Sequence, residues 1–226
     1  MNYYEGIKEF LHDGIENPEW KEKYLMFHEK EKDRLSTFPA SVKNHHMWEG
    51  GYAQHVWEVM SNVVDIFTNL KLPKSQINFS ADEILCAAYI HDLDKLWRYR
   101  RLEGEPPSEK QISYARSLGI ALTKSDTKQS VIAKIDAAKR GVELDEKQIQ
   151  RFERLPDMLE FDDGAIVSFY AGKNDLPMTE QMLHAVCLHH GGWSPIARVY
   201  PTIVPSPMAA LLHSADYISS FVQKGK

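Results

Sequence analysis

Three apolar helical stripes in this sequence continue into histidine or aspartate instead of another apolar residue. Residues spaced by three and four positions lie on one face of a helix, so side chains that continue an apolar stripe face the same way as the stripe. Such a face normally packs on the core. The ionisable residues that continue the three stripes are His91, Asp92, His189, His190 and Asp216.

Convergence on a metal ion explains all three stripes together. Burial of an unpaired carboxylate is very unfavourable, whereas coordination to one divalent cation satisfies carboxylate and imidazole groups at once. Taken singly, each residue is also consistent with an ordinary hydrogen-bonded helix residue. The combination favours a metal site built from several helices.

The elements that must position these residues are helices. Ser80 and Glu83 form a capping-box pattern before the stripe that leads to His91, and Asn17-Pro18 is typical of a helix start. No alternating apolar pattern predicts strands, so the expected fold class is all-α. The predicted helices span residues 2–12, 17–34, 52–70, 80 onward, 108–118, 127–139, 178–190 and 206–222.

The order of these residues resembles the signature of the HD phosphohydrolase superfamily, His … His-Asp … Asp, which this chain matches as His55, His91-Asp92 and Asp216. The segments GGYAQHVWEV, AAYIHDLDK and LLHSADYI are similar to the helices that supply those residues in the family. The resemblance covers residues 44–100 and 178–222. It implies an HD-domain helical bundle that hydrolyses phosphate esters with a bound divalent metal.

The resemblance also implies a ligand set for one or two ions. Where a histidine pair precedes the final aspartate in HD proteins, the pair helps to hold a second ion, and the aspartate of the His-Asp pair bridges the two. Mixed imidazole and carboxylate ligands suit Mn, Fe, Co, Ni or Zn, with Mg as an alternative. The implied ligands are His55, His91, Asp92, Asp216, His189 and His190.

The His-Asp segment departs from the family pattern at one position. The frequent sequence is HDxGK, but here Asp94 replaces the glycine in HDLDK. Asp94 is therefore expected either to pair with Lys95 or to bind metal through water. Asp92, Asp94 and Lys95 are the predicted catalytic residues.

Two segments, HHMWEGGYAQH and CLHHGGWSP, resemble the branch of the superfamily that includes 3′-to-5′ exoribonucleases. Basic residues beyond the His-Asp pair could form a phosphate-binding edge, although cations are also common at a solvated helix end. The predicted substrate-binding residues are His45, His46, Arg98, Arg101 and Arg198.

Four further histidines have no predicted ligand role. His184 and His213 lie within helical patterns and are interpreted as hydrogen-bonded helix residues. His12 and His28 are predicted to lie on the surface.

Length and charge patterning predict one core with an insertion. The 226 residues are few for two full domains, and the polar stretch 102–176 interrupts the apolar helices. The predicted core is therefore 1–101 with 177–226. Within the insertion, a helical hairpin at about 108–140 loosely resembles DNA-binding modules of the SAP type.

Composition limits the cellular context and the partners. The formal net charge of −5 is unlike the basic footprint of a protein that lives on nucleic acid. No run of about 18 apolar residues is present, and the acidic N-terminal segment is unlike a signal peptide. We expect a cytoplasmic protein without a membrane partner, whose oligomeric state the sequence does not indicate.

The sequence leaves several functions open. The expected one is a nucleotide phosphohydrolase of the 5′-nucleotidase or deoxynucleoside triphosphate hydrolase type. The main alternative is a metal-dependent 3′-to-5′ exonuclease or phosphodiesterase on single-stranded nucleic acid. A di-iron oxygenase of HD fold and a non-catalytic binding module are further alternatives.

Overall fold

Helices form most of this computed structural model, which describes residues 1–42, 44–69, 77–102, 104–144, 149, 151–155 and 163–223, and they confirm the all-α class. A short 3₁₀-helix (Gly191–Trp193) precedes the helix Pro195–Val199, and a π-helix (Ile218–Gln223) extends the helix Pro207–Tyr217. The helices are α1 (Tyr3–Gly14), α2 (Pro18–Lys30), α3 (Lys32–Thr37), α4 (Gly51–Asn69), α5 (Ala81–Ile90), α6 (Lys95–Arg98), α7 (Glu109–Ser117), α8 (Lys128–Arg140), α9 (Asp163–Lys173), α10 (Glu180–Leu188), α11 (Pro195–Val199) and α12 (Pro207–Tyr217).

Helix starts follow the local sequence closely, whereas one helix is interrupted. Ser80 and Glu83 make the reciprocal capping box in front of α5, as their spacing predicts. The single helix predicted over 17–34 is wrong, because the backbone at Glu31 leaves the helical region (φ −97°, ψ 18°) and separates α2 from α3.

Helix α4 lies at the centre of the core. It packs against α1, α5 and α12, while α10 packs against α5, α9 and α12. The apolar residues Val56, Val59, Met60 and Val63, which recur at helical spacing along α4, are all buried. The crossing of α4, α5, α10 and α12 therefore brings together the helix ends that carry the predicted ligands.

Two short strands close the base of the segment 102–151. β1 (Tyr99–Arg101) and β2 (Phe152–Arg154) pair antiparallel, with Arg100 opposite Glu153. This sheet was not predicted, because three residues are too few to show an alternating pattern. Between the strands, α7 and α8 enclose a small apolar cluster of their own around Ala115, Val131 and Ile135.

Helix α9 also lies inside the predicted insertion, yet it belongs to the main core. Its residues Val167 and Ala171 are buried in the large apolar cluster. Among the described residues, no helix has the length and apolar character that a membrane crossing requires.

His28 is fully buried, so its predicted surface position is wrong. It lies on the same face of α2 as Tyr24 and Phe27, which both pack into the core. Its Nε2–H donates to the carbonyl of Tyr4 at 3.0 Å, and the Tyr89 hydroxyl donates to Nδ1 at 3.2 Å. Both ring nitrogens thus have hydrogen-bond partners when the imidazole is neutral.

Protonation of His28 should destabilise the fold in mildly acidic solution. Burial lowers the pKa of His28 from 6.5 to about 4. Between these values the unfolded chain binds a proton that the folded chain does not, so the free energy of unfolding falls by up to about 3 kcal/mol as pH decreases.

A His28→Gln variant tests this directly, since an amide can bond to Tyr4 and Tyr89 without titrating. Urea unfolding at pH 7 and pH 4.5 should show a smaller loss of stability on acidification for the variant than for the wild type. Equal losses would contradict the assignment.

Candidate metal centre

Four buried side chains from three helical regions meet at one point. His55 comes from α4, His91 and Asp92 follow α5, and Asp216 lies in the last turn of α12. The Nε2 atom of His55 is 3.1 Å from His91 Nε2, 3.2 Å from Asp92 Oδ2 and 3.3 Å from Asp216 Oδ1. Both imidazoles are fully buried, and the carboxylates expose 2% and 7% of their surface.

The outer nitrogen of each imidazole is committed to another partner. His91 Nδ1–H donates to the carbonyl of Ala88 at 2.7 Å. His55 Nδ1–H donates to Ser219 Oγ at 2.9 Å, since the Ser219 hydroxyl itself donates to Glu58 at 2.7 Å. In the neutral imidazoles both Nε2 atoms are therefore bare acceptors that face two carboxylates. Only protons or a cation can satisfy such a group.

The spacing of these atoms fits a shared cation. Ligands about 2.1 Å from one ion lie about 3.0 Å apart in octahedral and about 3.4 Å apart in tetrahedral coordination. His91 Nε2 is 3.3 Å from Asp92 Oδ2, so it joins the three distances from His55 in this range, whereas its 4.0 Å distance to Asp216 Oδ1 is longer. The donor set therefore suits a divalent ion of the kind that accepts both nitrogen and oxygen.

The electrostatics keep both carboxylates ionised. Burial opposes the charge on Asp92, but Lys95 and His91 outweigh burial and hold the pKa of Asp92 well below its usual range. Burial likewise opposes the charge on Asp216, yet its hydrogen bond with His55 helps to lower the pKa of Asp216. Burial disfavours the charge on His55, but the bonds that its protonated form makes with Asp216 and Asp92 outweigh burial and raise the pKa of His55. A bound cation would replace protons on the imidazoles.

A second group of ligand atoms lies on the other side of Asp92. His189 Nδ1–H donates to the carbonyl of Val186 at 2.5 Å, and its Nε2 is 3.6 Å from Asp92 Oδ1. That Nε2 is buried and has no hydrogen-bond partner among the described residues. With His190, these atoms form a second group that could hold a metal ion. The two oxygens of Asp92 thus face different groups.

A third group that could hold a metal ion consists of His55 together with His45 and His46 from the loop before α4. His46 Nε2–H donates to Glu58 at 3.1 Å, and His46 Nδ1 lies 3.0 Å from His45 Nδ1. His45 reaches Ser220 through its Nε2 at 3.2 Å. Of the two predicted substrate-binding histidines, His45 lines a cavity, whereas His46 is fully buried.

The predicted basic residues lie in different surroundings. Lys95 bonds to Asp92 and lines the cavity, and although burial disfavours its charge, Asp92 raises the pKa of Lys95 above its usual value. Asp94 is buried and pairs with Arg98 at 2.6 Å, while Arg101 pairs with Glu49.

Lys95 lines the cavity, whereas the three predicted arginines lie elsewhere. Arg98 is largely buried in its ion pair with Asp94, and Arg198 is exposed in α11. Among the described residues, neither of them nor Arg101 belongs to the cavity lining.

The cavity beside the metal centre is also lined by residues for which the sequence predicted no site role. It has a volume of about 510 Å³, and Asp216 and Lys95 form part of its wall. His213, three residues before Asp216 on α12, donates from Nδ1 to the His189 carbonyl at 2.6 Å. The spacing of three residues between His213 and Asp216 could have indicated that His213 lies on the same face of α12 as Asp216. The other residues that line the cavity are Asn44, His45, His190, Trp193, Tyr217, Ser220 and Phe221.

No family model, curated protein or solved structure matched this chain. Buried His and Asp groups that could hold a metal ion are nonetheless present in the helical fold. Their chemistry is the basis for assigning a function.

Substitution of one ligand should remove bound metal without loss of helicity. We expect the purified wild type to hold at least one equivalent of a divalent metal by plasma mass spectrometry, and His91→Ala and Asp92→Asn to lose it. His184→Ala is the matched control, because His184 bonds to Ser206 and belongs to none of the three groups. Metal content that is equal in all four proteins would contradict the site.

The loop before α4 that carries His45 and His46, here called the histidine loop, packs closely against Gly51. This packing leaves no room for a side chain at position 51. A Cβ atom at this position would lie 2.1 Å from the carbonyl oxygen of His46. Gly51→Ala should therefore lower the free energy of unfolding by about 1–3 kcal/mol, as overpacking does. Gly172→Ala in α9 is the control: a Cβ there meets nothing within 4 Å, and the variant should be more stable by about 0.5–1 kcal/mol. Thermal unfolding of both variants measures the contrast.

Proposed function

We propose that this chain is a metal-dependent phosphohydrolase of the HD type that acts on nucleotides. The observation that carries the proposal is the convergence of bare imidazole nitrogens and ionised carboxylates at His55, His91, Asp92 and Asp216. These are the residues that match the HD signature. One of them, Asp216, lines a cavity that Lys95 also lines, as a phosphate-binding site requires.

A divalent cation at this centre would lower the pKa of a bound water towards neutrality and polarise a phosphoryl oxygen. Asp92 and Asp216 would hold such a cation in their ionised forms, and the bonds of His55 to Ser219 and of His91 to the Ala88 carbonyl orient the imidazoles. These hydrogen bonds thus fix the orientation of the imidazoles before substrate binds.

Lys95 is the group of this chain best placed to meet the phosphate. Its ammonium stays protonated beside Asp92 and lies at the cavity wall. There it can donate to a phosphoryl oxygen and offset the charge that develops during displacement. His190, which lines the same cavity, is a further candidate for donation to the phosphate.

We further propose that the centre takes two ions of the Mn, Fe, Co, Ni or Zn class. Asp92 supports this, since its Oδ2 faces His55 and His91 while its Oδ1 faces His189. A carboxylate placed in this way can bridge two cations. Imidazole ligands favour these metals over calcium.

A second candidate function is cleavage of single-stranded nucleic acid, and the charge distribution favours it. Residues 108–141 contain seven Lys and Arg against three Asp and Glu, a formal charge of +4, although the whole chain carries −5. The basic residues Lys110, Arg116 and Lys124 are exposed there. Such a unit could hold the phosphate backbone of a strand whose end reaches the metal centre.

The decisive experiment is a screen of the metal-loaded protein against nucleoside mono-, di- and triphosphates and short oligonucleotides, each at 50 and 200 mM salt. We expect nucleotide hydrolysis with weak salt dependence, a loss of at least about 10²-fold in kcat for Asp92→Asn, and full activity for His184→Ala. Hydrolysis only of oligonucleotides, with steep salt dependence, would favour the nuclease.

Two further outcomes would reject both functions. If no phosphoester is hydrolysed with any metal, the phosphohydrolase proposal is wrong. If the iron-loaded protein also consumes dioxygen, the di-iron oxygenase becomes the better assignment.

A further inference from the structure

The cavity beside the metal centre is lined by aromatic residues as well as by the charged residues Lys95 and Asp216. Trp193, Tyr217 and Phe221 line it and expose 63%, 43% and 55% of their surface. The rings of Tyr217 and Phe221 are stacked, with centroids 4.6 Å apart and an interplanar angle of 26°. We call these three residues the aromatic shelf.

The backbone explains how the shelf is placed next to the ligands. His213, Tyr217 and Phe221 follow one another at four-residue spacing along α12 and the π-helix, so their rings form a row. The rings of His213 and Tyr217 have centroids 6.1 Å apart. Asp216 directly precedes Tyr217, which ties the shelf to the metal centre through one peptide bond.

Large aromatic side chains left open around one cavity indicate a ligand. Such residues usually bury most of their surface, and exposed clusters of them mark binding sites. The cavity volume of about 510 Å³ is in the range of small-molecule sites. Since Lys95 lines the same cavity and the proposed metal centre adjoins it at Asp216, the ligand should combine an anionic end with a flat apolar end.

We propose that the aromatic shelf stacks the nucleobase of a nucleoside phosphate whose phosphate group lies at Lys95 and the metal centre. This inference rests on the proposed function and assigns the site that binds the base of its substrate. Nucleobases are flat aromatic rings, and stacking on protein aromatics is tolerant of sequence because every base has a π-face. The shelf therefore holds purines and pyrimidines alike.

Two sources could supply this chemistry, a free nucleotide and the terminal nucleotide of a single strand. Both present one base and one phosphate to the cavity. The shelf makes the same contact with each, so the experiment compares a mononucleotide with a trinucleotide that ends in the same base.

The first measurement is calorimetric binding to the metal-loaded full chain, with probes that contain no phosphoester. Adenosine and uridine should bind, whereas ribose should not. Trp193→Ala and Phe221→Ala should weaken nucleoside binding by about tenfold each, and Trp193→Phe, which keeps a ring, by much less. Metal content and helicity of the variants must match the wild type.

The second measurement is steady-state kinetics with the mononucleotide and the trinucleotide. The alanine variants should raise KM about tenfold while kcat changes little, and the substrate with the higher wild-type kcat/KM identifies the source of the base. If the wild type hydrolyses either substrate but the alanine variants keep their KM and nucleoside affinity, the shelf is not a base-binding site. If nucleosides bind through the shelf but no phosphoester is cleaved, the proposed function fails and the base site stands.

Discussion

Acceptor atoms without donors face one another at the centre of this protein, and that arrangement governs the structure around it. The bare Nε2 atoms of His55 and His91 lie within hydrogen-bond range of each other and of Asp92. Without a cation or added protons such a group would be repulsive, and burial would make it worse. The fold holds these atoms in place because the Nδ1–H of His55 donates to Ser219 and the Nδ1–H of His91 donates to the Ala88 carbonyl.

The anchors come from distant parts of the chain. Glu58 accepts from Ser219, from His46 and from Gln54, so one buried carboxylate joins α4, the π-helix and the histidine loop. The loop can approach this closely only because Gly51 has no side chain. Residues that are not themselves proposed ligands, such as Glu58 and Gly51, therefore help to fix the orientation of the ligands.

Helical periodicity was enough to turn His91, Asp92 and Asp216 inward, because it depends only on residues a few positions apart. The same information could not reveal the Glu58–Ser219 bond, which joins residues 161 positions apart. His28 was placed wrongly although Tyr24 and Phe27 define its face, because a polar side chain was taken as a surface residue. The reaction and the ligand roles implied by resemblance stay predictions, and so do the domain boundaries drawn from chain length and the polar stretch 102–176.

The ribbon of β1 and β2 has a consequence for how this protein can change over time. Since Tyr99 lies opposite Arg154, the chain leaves the core and returns to it at adjacent points. An excursion with closely spaced ends can be lengthened, trimmed or replaced at small entropic cost and without displacing the helices that carry the ligands. A change in the length of the segment that carries α7 and α8 therefore need not displace the helices that carry His55, His91 and Asp216.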